Sequence, residues 1–211
     1  MLRAILRHMI VVGLTGGIAT GKSTVAQMFK CCGAVIINAD QLARDVVRRG
    51  KPAWREIVKE FGKTVLSANG AINRHMLGTV VFHNRRKLRR LEAIIHPRVA
   101  REQQRLIRRI AKRRPNAVVV YEVPLLFESG ADQRVDTIVV VTADRETQIA
   151  RLKRRNGLTR AEALRRINHQ MALDRKIRRA DVVLNGTGDK PLVRRQVRRL
   201  MQHFRRADGH L

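Results

Sequence analysis

Residues 16–23 of the chain read GGIATGKS and match the pattern G-x-x-x-x-G-K followed by Ser or Thr. Glycines permit the backbone angles and close approaches that a tight loop of this kind needs. Successive backbone N–H groups of such a loop converge on an anion, and the helix that follows adds its positive N-terminal end. Lys22 can then reach the β- and γ-phosphates, and the Ser23 hydroxyl can bind Mg²⁺. The loop predicts a site for a nucleoside triphosphate.

The residues on both sides of this loop predict a strand before it and a helix after it. Residues 9–14 read MIVVGL, an apolar run typical of a buried parallel strand. After the loop, apolar side chains recur at helical spacing as far as Gly33, which is a stop signal. They are Val25, Met28, Phe29 and Cys32. Strand, loop and helix thus follow in the required order, which argues against a chance glycine-rich turn.

Further apolar runs predict four more strands, at residues 34–37, 117–121, 137–141 and 181–184. Helical stretches separate them, which is typical of a mainly parallel sheet covered by helices on both faces. We therefore predict an α/β fold of the P-loop NTPase type, with a mainly parallel five-stranded sheet flanked by helices.

The chain is predicted to form a single unit, residues 9–211, with two helical insertions. The nucleotide-binding core comprises about residues 9–40, 115–144 and 180–206, and the insertions comprise about residues 41–114 and 145–179. Residues 1–8 are expected to be an N-terminal extension, because the fold needs nothing before Met9, so Met1 and Met9 are both open as the start.

The first insertion is expected to contain a helix that ends at His96. Apolar residues between 88 and 95 mark one face of this helix, and Pro97 follows it. The residue before a proline disfavours the α region, so we expect a break there, with a second helix running from Pro97 towards Ile110. His96 can contact a substrate or serve as a capping or packed histidine.

The second insertion is rich in arginine and is predicted to be a lid over bound phosphates. Thr159 and Glu162 fit a capping box, which predicts that a helix starts after Leu158. Three arginines are candidates for contact with the phosphates, although each one can also be an ordinary surface residue: Arg151, Arg154 and Arg155.

The composition limits the partners and the compartment. The formal net charge of +28 attracts polyanions, but the arginines of the last helix lie around an apolar stripe and read as a solvated exterior. Only 3% of residues are aromatic, which leaves little for base stacking, so no specific nucleic-acid partner is expected.

No apolar run approaches the roughly 20 residues that cross a bilayer. Adjacent Cys31 and Cys32 are expected to be unpaired thiols in the cytoplasm.

Two acidic residues follow predicted strands, at the sheet edge where ligands of open parallel sheets bind. Asp40 follows the second strand and can accept the proton of an acceptor hydroxyl, or help to hold Mg²⁺ through water. Its alternative is a helix N-cap. Glu122 ends the third strand, where P-loop proteins carry a metal-associated acid, and its alternative is a solvated carboxylate. The sequence leaves both pairs of alternatives open.

Several segments between about residues 11 and 188 together resemble dephospho-CoA kinases. The loop is shared by many unrelated NTPases, whereas the His-Pro and Val-Pro-Leu-Leu-Phe-Glu segments are far more specific. The matching segments are GLTGGIATGKST at 13–24, Ala39-Asp40 with Ala43-Arg44, LEAIIHP at 91–97, VPLLFE at 123–128, and RAD at 179–181 leading to Asn185-Gly186.

This resemblance implies ATP-dependent phosphorylation of the ribose 3′-hydroxyl of dephospho-CoA, with Mg²⁺, as the final step of coenzyme A biosynthesis. It also implies a P-loop kinase core, an acceptor-binding helical insertion at about residues 41–114, and a lid. Asp40 would be the catalytic base for the acceptor hydroxyl, and Lys22 would act on the donor. The acceptor-binding residues would be Thr15, Arg44, His96, Pro124, Leu125, Phe127 and Glu128. The ATP-binding residues would be Gly17, Ala19, Thr20, Gly21, Lys22, Ser23, Thr24, Arg151 and Arg155. Mg²⁺ would be held by Ser23, with Asp40 or Glu122 through water.

The sequence departs from the family pattern at three positions. Asn38 stands where the family usually has an acid, Asn73 lies in a stretch that often carries Asp, and Glu122 occupies a position that is more often Asp. The effect of these changes on metal affinity stays open, as does the oligomeric state. Two other functions also stay open: a kinase acting on a nucleoside or nucleotide, and a P-loop protein that binds nucleic acid.

Overall fold

Five parallel strands form one sheet in a computed structural model that describes residues 9–206. The strands are β1 (Ile10–Gly16), β2 (Val35–Asn38), β3 (Val118–Glu122), β4 (Thr137–Thr142) and β5 (Val182–Asn185). Their order is β2-β3-β1-β4-β5, and every neighbouring pair is parallel. The predicted five-stranded P-loop type of fold is confirmed. The predicted extension, residues 1–8, lies outside the described residues.

The central strands are apolar because both of their faces are covered. All five residues of β3 are buried, and so are all residues of β1 after Ile10. Strands buried on both faces lack the alternation of polar and apolar residues, which is why these runs are nearly continuous in valine and isoleucine. Since parallel strands end at the same edge of a sheet, Leu14 of β1, Asn38 of β2 and Glu122 of β3 lie side by side, with Glu122 paired to both of the others.

Two helices each pack one apolar face into the core that the strands of this sheet also form. They are α1 (Lys22–Cys31) and, at the end of the described chain, α9 (Lys190–Arg206). The apolar stripe predicted for the last helix is buried, at Val193, Val197, Met201 and Phe204. The arginines between these positions are exposed, as predicted. Cys31 and Cys32 are free cysteines at the end of α1, also as predicted.

The described part of the chain divides into two compact units, one formed by residues 9–38 and 107–206, the other by Ala39–Leu106. The second unit contains α2 (Ala39–Val46), α3 (Pro52–Phe61), α4 (Arg74–Phe82) and most of α5 (Arg85–Arg113). It has its own apolar core, made by Val47, Ala53, Ile57, Val65, Leu77, Val81 and Ile94. The division into core, acceptor-binding insertion and lid that the sequence suggests stays a prediction.

Helix α5 runs without interruption through Pro97, so the predicted break after His96 is wrong. A proline inside a helix removes one backbone hydrogen bond and disfavours the turn before it. That local cost is offset because Ile94 is buried in the core of the second unit. Arg98 also donates from Nη1 to the Ile94 carbonyl at 2.6 Å and binds Glu56 through Nη2. Tertiary packing on both sides of the proline keeps the helix continuous.

Three helices lie between β4 and β5, in the predicted lid. They are α6 (Arg145–Asn156), α7 (Arg160–Asn168) and α8 (Leu173–Ile177). The predicted capping box at the start of α7 is confirmed, because Thr159 accepts from the Glu162 N–H and Glu162 accepts from the Thr159 N–H. Asp144 caps α6 by accepting from the Thr147 N–H at 2.7 Å.

We find no helix within residues 9–206 that combines the length and the apolar character needed to cross a membrane.

Candidate active site

The loop between β1 and α1 adopts an anion-binding shape. Gly21, which precedes α1, has a φ of 97°, and Ala19 has a φ of 60°. Gly21 reaches this conformation at little cost because it lacks a Cβ atom, and it has no side chain with which to cap the helix. No side chain caps α1, so the N–H groups of Lys22 and Ser23 at its start can bind a ligand with negative charge, whereas the Thr24 N–H donates to the Gly21 carbonyl at 3.0 Å. Thr20 is buried and stabilises the loop by donating from Oγ1 to the Gly17 carbonyl at 2.9 Å.

Glu122 connects this loop to the ends of two strands. Its Oε1 accepts from Lys22 Nζ at 3.0 Å and from Ser23 Oγ at 2.7 Å. Its Oε2 accepts from Asn38 Nδ2 at 2.8 Å. Glu122 is buried, so the alternative of a solvated strand-end carboxylate is wrong. The amide that departs from the family pattern at position 38 orients the buried carboxylate.

The surroundings of Glu122 keep it ionised. Burial alone would raise its pKa, because a carboxylate loses hydration in the interior. The positive charge of Lys22 and the hydrogen bonds from Ser23, Lys22 and Asn38 favour the charged form more strongly. The net result is a pKa below the ordinary value for glutamate, so a charged pair forms with Lys22 near neutral pH.

The oxygen atoms around Ser23 fit a magnesium ion. Mg²⁺ prefers hard oxygen ligands and is usually held by one or two carboxylates together with substrate phosphates and water. Ser23 Oγ and Glu122 Oε1 supply a hydroxyl and a carboxylate 2.7 Å apart. Between Met9 and Arg206, no group of three or more His, Cys, Asp and Glu side chains could hold a metal. Ser23 and Glu122 are thus candidate ligands for the ion beside the loop.

Asp40, Arg44 and Arg74 are charged residues of the second unit that act on one another. Asp40 is the second residue of α2, inside its first turn, so the alternative of an N-cap is wrong. Burial and then the charge of Arg44 lower the pKa of Arg74, while the charge of Asp40 opposes that shift. Two guanidinium groups beside an exposed carboxylate can bind an anionic group of a ligand. Arg74 was missed in the sequence, although it follows Asn73 in the stretch that departs from the family pattern.

His96 also belongs to the second unit, where it is exposed on α5. The alternative of a packed histidine is therefore wrong. As it lies within a continuous helix, it does not cap one either. Its predicted contact with an acceptor stays a prediction.

The segment Pro124–Glu128 follows β3 as a series of turns and contacts the end of β1. Thr15 Oγ1 donates to the Pro124 carbonyl at 3.3 Å, which brings two of the predicted acceptor-binding positions together. Phe127 is buried beneath the guanidinium of Arg179, at 4.3 Å from the ring centre, whereas Leu125 is exposed. The Phe127 ring is thus held by the protein itself, whereas Leu125 is open to solvent.

The arginines of the predicted lid differ in what they contact. Arg151 donates to the carbonyls of Ala19 and Gly186, at 3.0 and 2.9 Å, so it supports the backbone of the loop. Arg155 is exposed, and its Nε donates to Asn156 Oδ1. Their predicted contact with phosphates stays a prediction.

Two glutamines that the sequence did not single out also bind the loop. Gln148 donates to the Ile18 carbonyl at 2.7 Å, and Gln170 accepts from the Ile18 N–H at 2.8 Å. Neither had a detectable signal in the sequence, because a glutamine in a polar helix or turn is usually solvated.

Comparisons with known proteins agree on one family. Residues 10–191 match the family model described as dephospho-CoA kinase. The chain is similar to the dephospho-CoA kinase of Geobacter metallireducens, with 49% identity over 189 residues that cover 90% of this chain and 94% of the relative.

Two solved structures extend the comparison to the fold. A Thermus thermophilus protein shares 33% identity at a TM-score of 0.79, covering 93% of this chain and 98% of its own. The dephospho-CoA kinase of Campylobacter jejuni shares 25% identity at a TM-score of 0.71, covering 95% and 99%. The predicted resemblance is confirmed, and the chain belongs to the dephospho-CoA kinase family of P-loop phosphotransferases.

Proposed function

We propose that the protein transfers the γ-phosphate of ATP to the ribose 3′-hydroxyl of dephospho-CoA, giving coenzyme A and ADP in the final step of coenzyme A biosynthesis. The observation that carries this proposal is the family match over residues 10–191. The matched region includes both the loop that can hold a triphosphate and the Val-Pro-Leu-Leu-Phe-Glu segment. The expected small-molecule partners are ATP and dephospho-CoA.

The donor side of the reaction rests on the loop. The N–H groups at the start of α1 and the ammonium of Lys22 would bind the phosphates of ATP, with contributions from Gly17, Ala19, Thr20 and Thr24. The ammonium group of Lys22 lies at the end of a flexible side chain that is partly open to solvent, so it can reach an incoming phosphate. Positive charge at this position lowers the barrier because it stabilises the charge that spreads over the transferring group.

Mg²⁺ fits beside the same loop. Ser23 and Glu122, directly or through water, would hold the ion, and Asp40 is a further candidate through water. A bound Mg²⁺ supplies positive charge that neutralises the phosphate oxygens.

The acceptor side rests on Asp40. As the 3′-oxygen forms a bond to the γ-phosphorus, the bond from that phosphorus to the bridging oxygen breaks and ADP leaves. Asp40 would accept the proton that the hydroxyl gives up. Arg44 and Arg74 would bind an anionic part of the acceptor, and His96 and the segment Pro124–Glu128 would contribute to its pocket.

A coupled ADP-release assay with purified protein tests the substrate. We expect turnover with ATP and dephospho-CoA, and little with adenosine or AMP as acceptor. The reverse preference would identify a nucleoside or nucleotide kinase instead. Nucleic acid that stays bound at physiological salt, without kinase activity, would favour a nucleic-acid-binding role, because phosphate contacts otherwise weaken steeply with salt.

The variant Asp40→Asn tests the assigned base. We expect it to bind ATP normally and to lose about 10²- to 10⁴-fold in turnover, the range for a general base. Asp45→Asn is the matched control, since Asp45 lies on the same helix and pairs with Arg48 at 2.7 Å. Unchanged turnover in Asp40→Asn would remove Asp40 from the mechanism.

A cytoplasmic location and the absence of a specific nucleic-acid partner stay predictions, as do the phosphate contacts of Arg151 and Arg155.

A further inference from the structure

Lys176 is a fully buried lysine in the arginine-rich part of the chain. It lies in α8 with 0% of its side chain exposed. Its Nζ is 2.9 Å from Glu128 Oε1 and donates to the Pro124 carbonyl at 3.0 Å. A lysine is almost never fully buried unless it is paired, because the ammonium loses its hydration. Lys176 therefore makes specific contacts with two residues of the segment Pro124–Glu128.

Neighbours of Lys176 in the chain hold the same segment at further points. The Met171 N–H donates to Glu128 Oε1 at 2.9 Å. Arg179 covers the ring of Phe127 and pairs with Asp132 at 2.8 Å. The segment has turns but no regular secondary structure, so these contacts act together with its own turn hydrogen bonds to hold its conformation.

The opposite end of this stretch contacts the phosphate-binding loop. Gln170 Oε1 accepts from the Ile18 N–H at 2.8 Å. This bond fixes the orientation of the peptide unit between Gly17 and Ile18, so that its N–H points towards Gln170. Residues 170–179, which we call the brace, thus bind the loop through Gln170 and the segment Pro124–Glu128 through Lys176.

We propose that the brace couples the two substrate sites, with Lys176 as its central positioning residue. The inference rests on the proposed function, which assigns ATP to the loop and the acceptor to the segment Pro124–Glu128. Nucleotide binding that orders Ile18 also orders Gln170, and through the brace it orders Glu128 and Phe127 before the acceptor arrives. The acceptor then binds a segment that is already in place, so each substrate raises the affinity for the other.

Calorimetry on the full chain measures this coupling directly. The ratio of dissociation constants for dephospho-CoA, without and with a non-hydrolysable ATP analogue, is expected to be about five or more in the wild type. Lys176→Met keeps the length of the side chain and removes its charge, and we expect its ratio to fall towards one. In turnover, the KM for dephospho-CoA should rise more than kcat falls. Lys176→Arg should restore part of the ratio.

The matched control is Lys153→Met, the same substitution at an exposed position of α6. It should keep the wild-type ratio. If Lys176→Met does not fold, Gln170→Leu breaks the brace at its loop end without leaving a buried charge, and it should lower the ratio as well. A wild-type ratio of one, or a full ratio in Gln170→Leu, would overturn the proposal.

Hydrogen exchange separates this inference from the proposed function, because it needs no substrate. The N–H groups of Ser129, Gly130 and Ala131 donate to carbonyls at Leu125, Phe127 and Leu126, at 3.0, 3.1 and 2.9 Å. Exchange in the peptide that covers residues 123–131 should be faster in Lys176→Met than in Lys153→Met. If exchange is faster in Lys176→Met but the wild type does not phosphorylate dephospho-CoA, the proposed function is overturned while the contacts of the brace stand. Unchanged exchange in an active enzyme overturns the brace.

Discussion

Two lysines of the sheet-containing unit pair with glutamates, and they differ in which partner is buried. Lys22 is 13% exposed and its partner Glu122 is 6% exposed, whereas Lys176 is 0% exposed and its partner Glu128 is 24% exposed. In the loop the carboxylate is enclosed and the lysine remains within reach of a ligand. In α8 the side chain of the lysine is enclosed by the protein and is closed to solvent. The Lys22 ammonium can therefore exchange Glu122 for a phosphate of the ligand. The Lys176 ammonium instead holds α8 against the segment Pro124–Glu128.

The energetic consequences of the two pairs differ for the same reason. Removing one member of a buried pair is costly because the other charge stays in the interior without compensation. Glu122 keeps hydrogen bonds from Ser23 and Asn38 when Lys22 is lost. Loss of Lys176 in contrast removes a contact from two groups at once, because Glu128 then keeps the bond from the Met171 N–H and the Pro124 carbonyl keeps the longer bond from the Thr15 hydroxyl, at 3.3 Å. We therefore expect Lys22 to matter most for turnover and Lys176 to matter most for stability.

The largest effect is expected for Lys22→Met. We expect kcat to fall by about 10²- to 10³-fold, as for other groups that stabilise charge in a transition state. The free energy of unfolding should change little by comparison. Steady-state turnover and urea denaturation measure the two quantities. Lys30→Met, at an exposed position of the same helix, is the control and should match the wild type. A stability loss without a loss of turnover would reverse the comparison.

Lys176→Met should show the opposite balance. We expect the free energy of unfolding to fall by about 3 kcal/mol, the scale for breaking a buried ion pair. Urea denaturation followed by circular dichroism measures this, with Lys153→Met as the exposed control. Equal losses in Lys176→Met and Lys22→Met would remove the distinction between the two pairs.

The pH dependence of stability sharpens the description of the Lys22 pair. The pKa of Glu122 in the folded protein lies below its ordinary value of 4.5. Its ionised form therefore stabilises the fold fully above pH 4.5, and that stabilisation is lost as the pH falls through the lowered pKa. The difference in unfolding free energy between the wild type and Glu122→Gln should narrow on acidification. If the difference in unfolding free energy between the two proteins stays constant as the pH falls, the lowered pKa assigned to Glu122 is contradicted.

The smallest effect is expected at a local cap, which provides a baseline for both ion pairs. Thr159→Ala removes the oxygen that accepts from the Glu162 N–H and should lower the free energy of unfolding by about 1 kcal/mol. Thr159→Ser keeps that oxygen and should retain most of the stability. A loss in Thr159→Ala as large as that in Lys176→Met would show that the buried lysine has no special role.

Features that depend on neighbouring residues were predictable from the sequence. The five strands appear as apolar runs, and α1 and α9 appear as apolar stripes at helical spacing. The loop at residues 16–23 and the capping box at Thr159 need only a few residues at fixed spacing. The break at His96 was predicted by the same local logic and was wrong, because packing around Ile94 outweighs the preference of one residue.

Features that depend on distant residues were not predictable in this way. Lys22 and Glu122 are 100 positions apart, and Gln170 is 152 positions from Ile18. Lys176 resembles its many basic neighbours in the sequence, and only its position beneath the segment Pro124–Glu128 distinguishes it. Arg74 was likewise missed because its partners Asp40 and Arg44 lie on a different helix.

The sequence alone determined where the five strands and the first and last helices lie along the chain, the phosphate-binding loop and the family. These features depend on composition and on spacing along the chain. The tertiary structure decided that Glu122 is a buried anion, that Lys176 is enclosed and that α5 passes through Pro97. The physical reason is that burial and charge pairing arise between segments that the fold brings together, and their energies exceed the local preferences from which a sequence is interpreted.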